Sequence, residues 1–264
     1  MNRVIPGILL AGLWFFLLTL ASPRLFWLVV VAGAGIALFE LFRMNKEQLR
    51  GAPQLLTLLF ALLPVMSSIK GPDTLLMGLL LGFLGLVIMG LVRFEHFGNV
   101  QNYLACASLG LVYVGMCAAH LVLLRQLPQG SLWLIFLTGL IAASDTGAYY
   151  AGRQWGKRKI FPNISPKKTL AGVVGGVVCG TVVAIGINCF FVKPLPFFVL
   201  VSMAILLIVV GIAGDLCESM LKRANGVKDS GTILAGHGGL LDRIDSLLLS
   251  APVLYYLVTC WAAP

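Results

Sequence analysis

Residues Thr74–Val92 read TLLMGLLLGFLGLVIMGLV, an unbroken run without a charged side chain. At about 1.5 Å per helical residue, a run of this length can cross the roughly 30 Å hydrocarbon core of a bilayer. Similar apolar runs recur along the chain, and the shortest of them lies at Pro53–Ser68. The sequence therefore predicts an all-α, polytopic integral membrane protein with about nine transmembrane helices. They are expected at Val4–Ala21, Leu25–Phe42, Pro53–Ser68, Thr74–Val92, Tyr103–Leu124, Ser131–Tyr150, Leu170–Val192, Leu195–Leu216 and Ser246–Ala263.

Composition excludes most other classes of protein. Hydrophobic residues make up 59% of the 264 positions, charged residues make up 11%, and the mean hydropathy is +0.97. Soluble domains carry roughly 25% charged residues, so this chain lacks the side chains to cover a water-facing surface. A soluble enzyme, a disordered chain and a nucleic-acid-binding module are excluded on this ground. The unbroken apolar runs also differ from the alternating pattern of a transmembrane β-barrel.

The net charge of +9 is interpreted mainly as a topology signal. Alternating the loops across nine spans assigns fifteen of the 19 Lys and Arg residues to the side that holds the N-terminus. The positive-inside rule then predicts a cytoplasmic N-terminus. No nucleic-acid partner is expected. The basic residues assigned to the other side are Arg24, Lys70, Arg125 and Lys193.

Polar residues are concentrated in the second half of the chain. Residues 145–245 hold six of the ten acids and ten of the fifteen basic residues assigned to the cytoplasmic side. We expect one membrane domain over residues 1–264. Within it, residues 1–104 form a hydrophobic scaffold half and residues 105–264 form a catalytic half.

Two acidic groups lie within or at the end of predicted spans, where charged residues are costly. Asp145 shares a helix face with Tyr149, and the alternative to a functional role is a helix-end carboxylate bonded to a neighbour. Asp215, Glu218 and Lys222 also share one face. A salt bridge between Glu218 and Lys222 would explain that pair, but it would not explain Asp215.

A glycine-rich segment, GHGGLLDRID at residues 236–245, precedes the last predicted helix. Its glycines could leave backbone N–H groups free for phosphate at the helix N-terminus, with Asp242 and Asp245 on the first turns. The alternative is a glycine-rich turn with capping aspartates. For His237, the alternative to a functional role is that its side chain simply packs within the turn.

The segment SPKKT at residues 165–169 adds a second basic patch. Lys167 and Lys168 could attract phosphate, or they could be topology charges only. Ser165 and Pro166 also suit the N-cap and first position of the next helix. Carboxylates beside Lys and Arg are typical of Mg²⁺-assisted phosphoryl or nucleotidyl transfer, because Mg²⁺ prefers oxygen ligands and cations neutralise phosphate charge.

Residues 219–245, SMLKRANGVKDSGTILAGHGGLLDRID, closely resemble the signature of the phosphatidate cytidylyltransferase (CDP-diacylglycerol synthase) family. SDTGAY at residues 144–149 and SPKKT at residues 165–169 resemble two further blocks of that family. The resemblance covers roughly residues 105–250. Ala171 stands where the family usually has Glu, and Ala235 stands where it usually has Pro.

The resemblance implies that CTP and phosphatidate react to give CDP-diacylglycerol and pyrophosphate. It implies Mg²⁺, as one ion or as a pair, and a homodimer in the bilayer. We expect the plasma membrane of a bacterium, with the active site facing the cytoplasm. By resemblance, the metal ligands are Asp215, Asp242 and Asp145, the catalytic residues are Lys222, Arg223, Ser219, Asp245 and His237, and the substrate-binding residues are Lys167, Lys168, Lys228, Arg243, Gly238 and Gly239.

Two other functions stay open at this stage. One is a non-catalytic or altered-substrate membrane paralogue that binds or transports an anionic lipid in the same cavity. The other is a CDP-alcohol phosphotransferase, whose motif of Asp-Gly, Ala-Arg and later spaced aspartates is absent from this sequence. A transporter would be expected to carry paired broken spans in its two halves, whereas the polar features here fall in one half.

Overall fold

A computed structural model describes residues 4–47, 49, 51–191, 194–231 and 238–262. Within these ranges the chain is helical and contains no strand; a single isolated bridge pairs Lys159 with Thr169. The helices are α1 (Val4–Thr19), α2 (Pro23–Met44), α3 (Gln54–Ser67), α4 (Pro72–Val92), α5 (Val100–Leu109), α6 (Cys117–Gln126), α7 (Gly130–Trp155), α8 (Leu170–Asn188), α9 (Phe197–Ala224) and α10 (Leu241–Ala262).

The predicted class, an all-α polytopic membrane protein, is confirmed. Seven helices of the described chain are long and apolar enough to span a bilayer; the third of these, Val100–Gln126, joins α5 to α6 through a π-helical stretch at Gly110–Met116. Every predicted span coincides with a helix, but the count of nine spans is not confirmed. The helix α1 has 16 residues and α3 has 14, so both are shorter than a typical span.

Side-chain caps explain where two of the helices begin. The hydroxyl of Ser22 accepts a hydrogen bond from the N–H of Leu25 at 3.2 Å, and Pro23 occupies the first turn of α2. The hydroxyl of Thr169 accepts one from the N–H of Gly172 at 3.1 Å and caps α8. The prediction that Ser165 and Pro166 begin this helix is therefore wrong, because the chain between them and Thr169 is a turn.

Tertiary contacts divide the chain into two compact units. Unit 1 comprises residues 1–126 and 224–244. Unit 2 comprises residues 127–223 and 245–264. The helix α10 begins in unit 1 and continues in unit 2. The predicted halves, 1–104 and 105–264, remain a prediction about where the chemistry lies.

Small residues let the helices of unit 2 approach closely. Gly172, Gly176 and Gly180 are buried at four-residue spacing along α8, which is the pattern that brings membrane helices together. A Cβ on Gly147 of α7 would lie 2.5 Å from the carbonyl oxygen of Gly175. On the other side of the unit, a Cβ on Gly214 would lie 2.6 Å from the carbonyl oxygen of Asp245. These contacts fix α7 against α8 and α9 against α10, where the polar residues lie.

Candidate active site

Lys168 and Asp215 form an ion pair in unit 2. Lys168 lies two residues before α8, and its ammonium also donates a hydrogen bond to the carbonyl of Ile212 at 3.2 Å. Both contacts are to α9, so this lysine connects the start of one helix to the polar turn of another. Lys167 is exposed, and the described part of the chain gives it no ion pair or side-chain hydrogen bond. The structure therefore distinguishes two lysines that the sequence treats alike.

Two further carboxylates lie within electrostatic range of Asp215. Asp145 on α7 and Asp245 on α10 both experience its negative charge, and Asp245 also experiences that of Asp145. The Asp245 side chain is buried, and its Oδ1 accepts a hydrogen bond from the N–H of Ser246 at 2.6 Å. Three helices of unit 2 thus bring three acids within electrostatic range of one another, with Lys168 near Asp215 and Asp145, and Lys222 near Asp245. This concentration of negative charge favours a bound cation.

Lys222 is held by Glu218, one helical turn earlier on α9. Their charged groups are 2.5 Å apart, and the Glu218 side chain is only 1% exposed. The structural alternative for this pair, a salt bridge at four-residue spacing, is confirmed. Lys222 also lies within electrostatic range of Asp245, so the pair borders the acidic group. A buried glutamate that orients a lysine toward other acids is compatible with a phosphate-binding role for the lysine.

The remaining predicted residues of unit 2 lie around this centre. Ser219 is half-buried and directly follows Glu218 on α9. Arg223 is exposed, and its Nε donates to the carbonyl of Ile164 at 3.4 Å, in the loop that carries Lys168. Tyr149, which shares a face with Asp145, accepts a hydrogen bond from Arg153 at 3.5 Å.

An apolar groove of about 1030 Å³ runs along α7 and α8 in unit 2. Lys157 and Arg158, in the loop after α7, are its basic lining residues, and Trp155 and Gln154 lie beside them. Ala171, the position at which the resembled family usually has Glu, also lines it. The groove therefore combines a long apolar surface with two cations, and its walls carry no acid.

In unit 1, the glycine-rich segment is organised by the carboxylate of Asp242. Its Oδ2 accepts hydrogen bonds from the N–H of Ser230 at 3.1 Å, from the hydroxyl of Ser230 at 2.9 Å and from the N–H of Gly239 at 2.9 Å. The bond back to Gly239 is the one that an acid on the first turn makes in a capping box. These contacts favour the capping alternative for Asp242, and its role as a metal ligand stays a prediction.

Glu40 is the functional-site candidate that the sequence reasoning missed. It lies on α2, in the predicted scaffold half, and is 1% exposed. Its carboxylate accepts hydrogen bonds from the N–H groups of Leu240 at 3.1 Å and Leu241 at 2.9 Å, and from the hydroxyl of Ser230 at 3.4 Å. It therefore caps the N-terminus of α10. The signal was present, since an acid within an apolar span is a functional hypothesis by default.

The glycines of this segment are explained by the approach of the two carboxylates. Gly238 has a φ of +81°, a left-handed conformation that side chains other than glycine rarely adopt. A Cβ on Gly239 would overlap the hydroxyl of Ser230 and lie 2.6 Å from Oε2 of Glu40. The N–H groups of residues 239–241 are thus occupied by protein carboxylates, and phosphate binding by Gly238 and Gly239 stays a prediction.

A polar cavity of about 670 Å³ lies beside this segment in unit 1. Its basic lining residues are Lys228, Arg43 in the last turn of α2, and Lys46 just after that helix. Asn225 fixes this junction by donating to the side-chain oxygen of Asn45 at 3.0 Å. The lining also contains the acids Glu47 and Asp229, so the three cations leave a formal net charge of only +1. The volume of the cavity is large enough for a small phosphorylated ligand. Loop alternation had assigned Arg43 and Lys46 to topology alone.

The remaining predicted residues belong to the glycine-rich segment and the start of α10. Arg243 is exposed on the first turn of α10. His237 and Ala235 lie outside the described residues. Within the described ranges, no group of three or more His, Cys, Asp or Glu side chains is arranged as a metal site. Mg²⁺ commonly uses one or two carboxylates together with substrate phosphates, so the acids of unit 2 fit it as a partial ligand set.

The whole chain is similar to one family of proteins. The model of the cytidylyltransferase family matches residues 1–261. A phosphatidate cytidylyltransferase of Bacillus subtilis (strain 168) is 36% identical over 272 aligned residues, covering 99% of this chain and 98% of that protein.

Staphylococcal proteins of the same name show comparable similarity. The one from Staphylococcus haemolyticus is 35% identical, and the alignment covers 84% of this chain and 85% of that protein. The one from Staphylococcus epidermidis (strain ATCC 35984) is 32% identical, and the alignment covers 95% of this chain and 96% of that protein. The similarity thus extends through the first hundred residues, where the sequence alone offered only hydrophobicity.

Proposed function

The chain belongs to the cytidylyltransferase family, and from that premise we propose that it is a phosphatidate cytidylyltransferase. It joins CTP and phosphatidate to give CDP-diacylglycerol and pyrophosphate. The observation that carries the proposal is the near-complete coverage of relatives with this name, together with the acids and lysines of unit 2. A non-catalytic lipid-binding paralogue is not favoured, because nothing in such a role requires three neighbouring acids with Lys168 and Lys222 beside them.

The reaction needs two anions to meet. An oxygen of the phosphatidate phosphate attacks the α-phosphorus of CTP, a new P–O bond forms, and the bond between the α-phosphorus and the bridging oxygen breaks. Pyrophosphate leaves with that electron pair. A phosphate monoester is already ionised near neutral pH, so the protein's main task is to position the phosphates and neutralise their charge.

We propose that one or two of the unit 2 acids Asp215, Asp145 and Asp245 hold Mg²⁺ together with substrate phosphates, and Asp242 stays a separate candidate in unit 1. The bound ion would supply charge neutralisation at the phosphate oxygens. Support comes from the donor set, which consists of hard carboxylate oxygens in unit 2. Lys168 orients the Asp215 carboxylate through its ion pair and its bond to Ile212. Asp245 is kept in place by its bond from Ser246.

The cations of α9 are proposed to hold substrate phosphates. Lys222 is oriented by the buried Glu218, and its positive charge can attract phosphate oxygens. Arg223 and Ser219 lie on the adjacent positions of the same helix. In unit 1, Lys228 is proposed to bind a substrate phosphate, and the capped turn at Gly238 and Gly239 gives its own segment a fixed shape.

The lipid substrate is proposed to enter from the bilayer through the apolar groove of unit 2. The groove offers surface for an acyl chain, and Lys157 and Arg158 supply positive charge for the phosphate. As an integral membrane protein with bacterial relatives, the chain is proposed to lie in the plasma membrane with its site toward the cytoplasm. A homodimer remains part of this proposal.

The experiment supplies the purified full-length chain in phosphatidylcholine vesicles with labelled CTP, Mg²⁺ and phosphatidate. We expect CDP-diacylglycerol and pyrophosphate in equal amounts. Product formed only from another lipid phosphate would establish the altered-substrate alternative. Absence of any CDP-lipid from a folded preparation, with a panel of lipid phosphates, would refute the proposal.

A further inference from the structure

Three basic side chains converge on a small cavity in unit 1, far from Glu40. The cavity has a volume of about 400 Å³, and its basic members are Arg24 on the first turn of α2, Lys70 after α3, and Arg125 near the end of α6. Arg24 and Glu40 are sixteen residues apart on α2, which corresponds to about 24 Å along the helix. The cavity is therefore distinct from the segment capped by Glu40.

The positive charge of this cavity is not balanced by the described protein. Its lining contains no acid, and among the described residues neither Arg24, Lys70 nor Arg125 forms an ion pair. Asp73 is the acid nearest to Lys70 in sequence, but it lies exposed on the first turn of α4 and makes no ion pair with it. Three cations around one cavity repel each other unless an anion lies between them.

One nitrogen of the Arg125 guanidinium, Nε, lacks a hydrogen-bond acceptor. Its Nη2 donates to the carbonyl of Ala21 at 3.1 Å, whereas its Nε is buried and has no hydrogen-bond partner. The neighbouring Gln126 donates to the carbonyls of Ser68 at 3.1 Å and Ile69 at 3.2 Å, so those acceptors are already used. A buried donor without an acceptor is costly, and an anion in the cavity would satisfy it.

The distribution of charge along the sequence makes this cluster unusual. The nine-span arrangement predicted from the sequence assigns only four Lys and Arg residues to the side of the membrane opposite the N-terminus, and three of them line this cavity. Topology rules deplete basic residues on that side, so they do not explain why three should meet there. A local ligand does explain it.

The setting favours a lipid phosphate as this ligand. The N-terminus of α2, capped by Ser22, adds partial positive charge at the same place. Leu28 lies one turn beyond Arg24 and is 54% exposed, which extends an apolar surface away from the cations. We propose that this cavity binds the phosphate group of an anionic phospholipid at the end of α2 opposite Glu40. This proposal does not depend on the catalytic function.

The test measures lipid binding to delipidated, full-length protein by native mass spectrometry. Dioleoyl-phosphatidylglycerol is compared with dioleoyl-phosphatidylcholine and with inorganic phosphate. The double variant Arg24→Gln/Lys70→Gln removes two exposed charges and leaves the bond from Arg125 to Ala21 intact. Because each basic side chain near an anionic headgroup contributes about fivefold in affinity, we expect phosphatidylglycerol to bind about 30-fold more weakly.

Two controls keep the test specific. Arg24→Lys/Lys70→Arg preserves the charge and should retain most of the affinity, while Arg93→Gln removes a cation outside the cavity and should have no effect. Cytidylyl transfer by the double variant in neutral lipid should match the wild type. Equal binding of phosphatidylglycerol and phosphatidylcholine, or an unchanged affinity in the double variant, would overturn the proposal. Inorganic phosphate that binds alone and displaces phosphatidylglycerol would overturn the lipid assignment.

Discussion

Replacing Glu40 by Gln tests whether an acid of the N-terminal half holds the start of α10. The substitution keeps the size of the side chain and removes its charge and one of its acceptor oxygens. In the wild type, the two oxygens accept from the N–H groups of Leu240 and Leu241 and from the hydroxyl of Ser230. In Glu40→Gln, an amide NH₂ group must face at least one of these donors.

The expected loss of stability follows from these contacts. Leaving one buried donor without its acceptor costs about 1–3 kcal/mol. Loss of negative charge at a helix N-terminus adds about 0.3–1 kcal/mol. Gln is easier to bury than a carboxylate, which offsets part of the sum. We expect a net loss of about 2 kcal/mol, equivalent to a fall in Tm of about 4–8 °C for a chain near this size.

The assay is thermal unfolding of the detergent-purified protein, followed by size-exclusion chromatography of the heated samples. Glu95→Gln is the matched control, because Glu95 is exposed on the turn at Phe94–His96 and should leave Tm unchanged. Identical Tm values for Glu40→Gln and the wild type would refute the capping role. A fall as large in Glu95→Gln would show that the effect is not specific to the buried carboxylate.

Three further predictions concern the same two units. Lys168→Met should lower kcat/KM for CTP about 100-fold, because it removes the ion pair that orients the Asp215 carboxylate. The exposed Lys167, replaced by Met, should change kcat/KM by less than about fivefold. Equal effects of the two substitutions in steady-state kinetics would contradict this prediction. Gly239→Ala should lower Tm, because its Cβ would overlap the hydroxyl of Ser230, while Gly98→Ala, with open space around it, should not; equal Tm values would count against the packed turn. Glu218→Gln should lower the free energy of unfolding by about 3–5 kcal/mol, because it removes the carboxylate paired with the largely buried Lys222. A Tm within 2 °C of the wild type corresponds to about 1 kcal/mol or less and would contradict that pairing.

The helices could be predicted because apolar run length is a local property of the sequence. The helix α3 shows that apolar run length does not fix helix length. Pro53 precedes this helix and a 3₁₀ turn follows it, so its 14 residues are fewer than a typical span requires. The start of α8 depends on which hydroxyl reaches an N–H group. Thr169 does so, although Ser165 with Pro166 looks as suitable in sequence.

The candidate site could be predicted only in part, because its partners are distant in sequence. Asp145 and Asp215 were identifiable as acids within predicted spans, and Asp245 as an acid directly before the last predicted span. Glu40 contacts backbone about 200 positions away, and no local pattern indicates that pairing. Lys168 and Lys167 differ only in which one faces α9, and this depends on the turn that precedes Thr169.

The central claim is that the acids of unit 2 catalyse cytidylyl transfer. The most direct measurement is the initial rate of CDP-diacylglycerol formation by Asp215→Asn, in vesicles containing phosphatidate, CTP and Mg²⁺. Asp73→Asn serves as the control, since Asp73 is exposed on α4. We predict a rate about 10²- to 10³-fold below the wild type for Asp215→Asn, with unchanged Tm and a normal rate for the control. A rate for Asp215→Asn within threefold of the wild type would contradict the account.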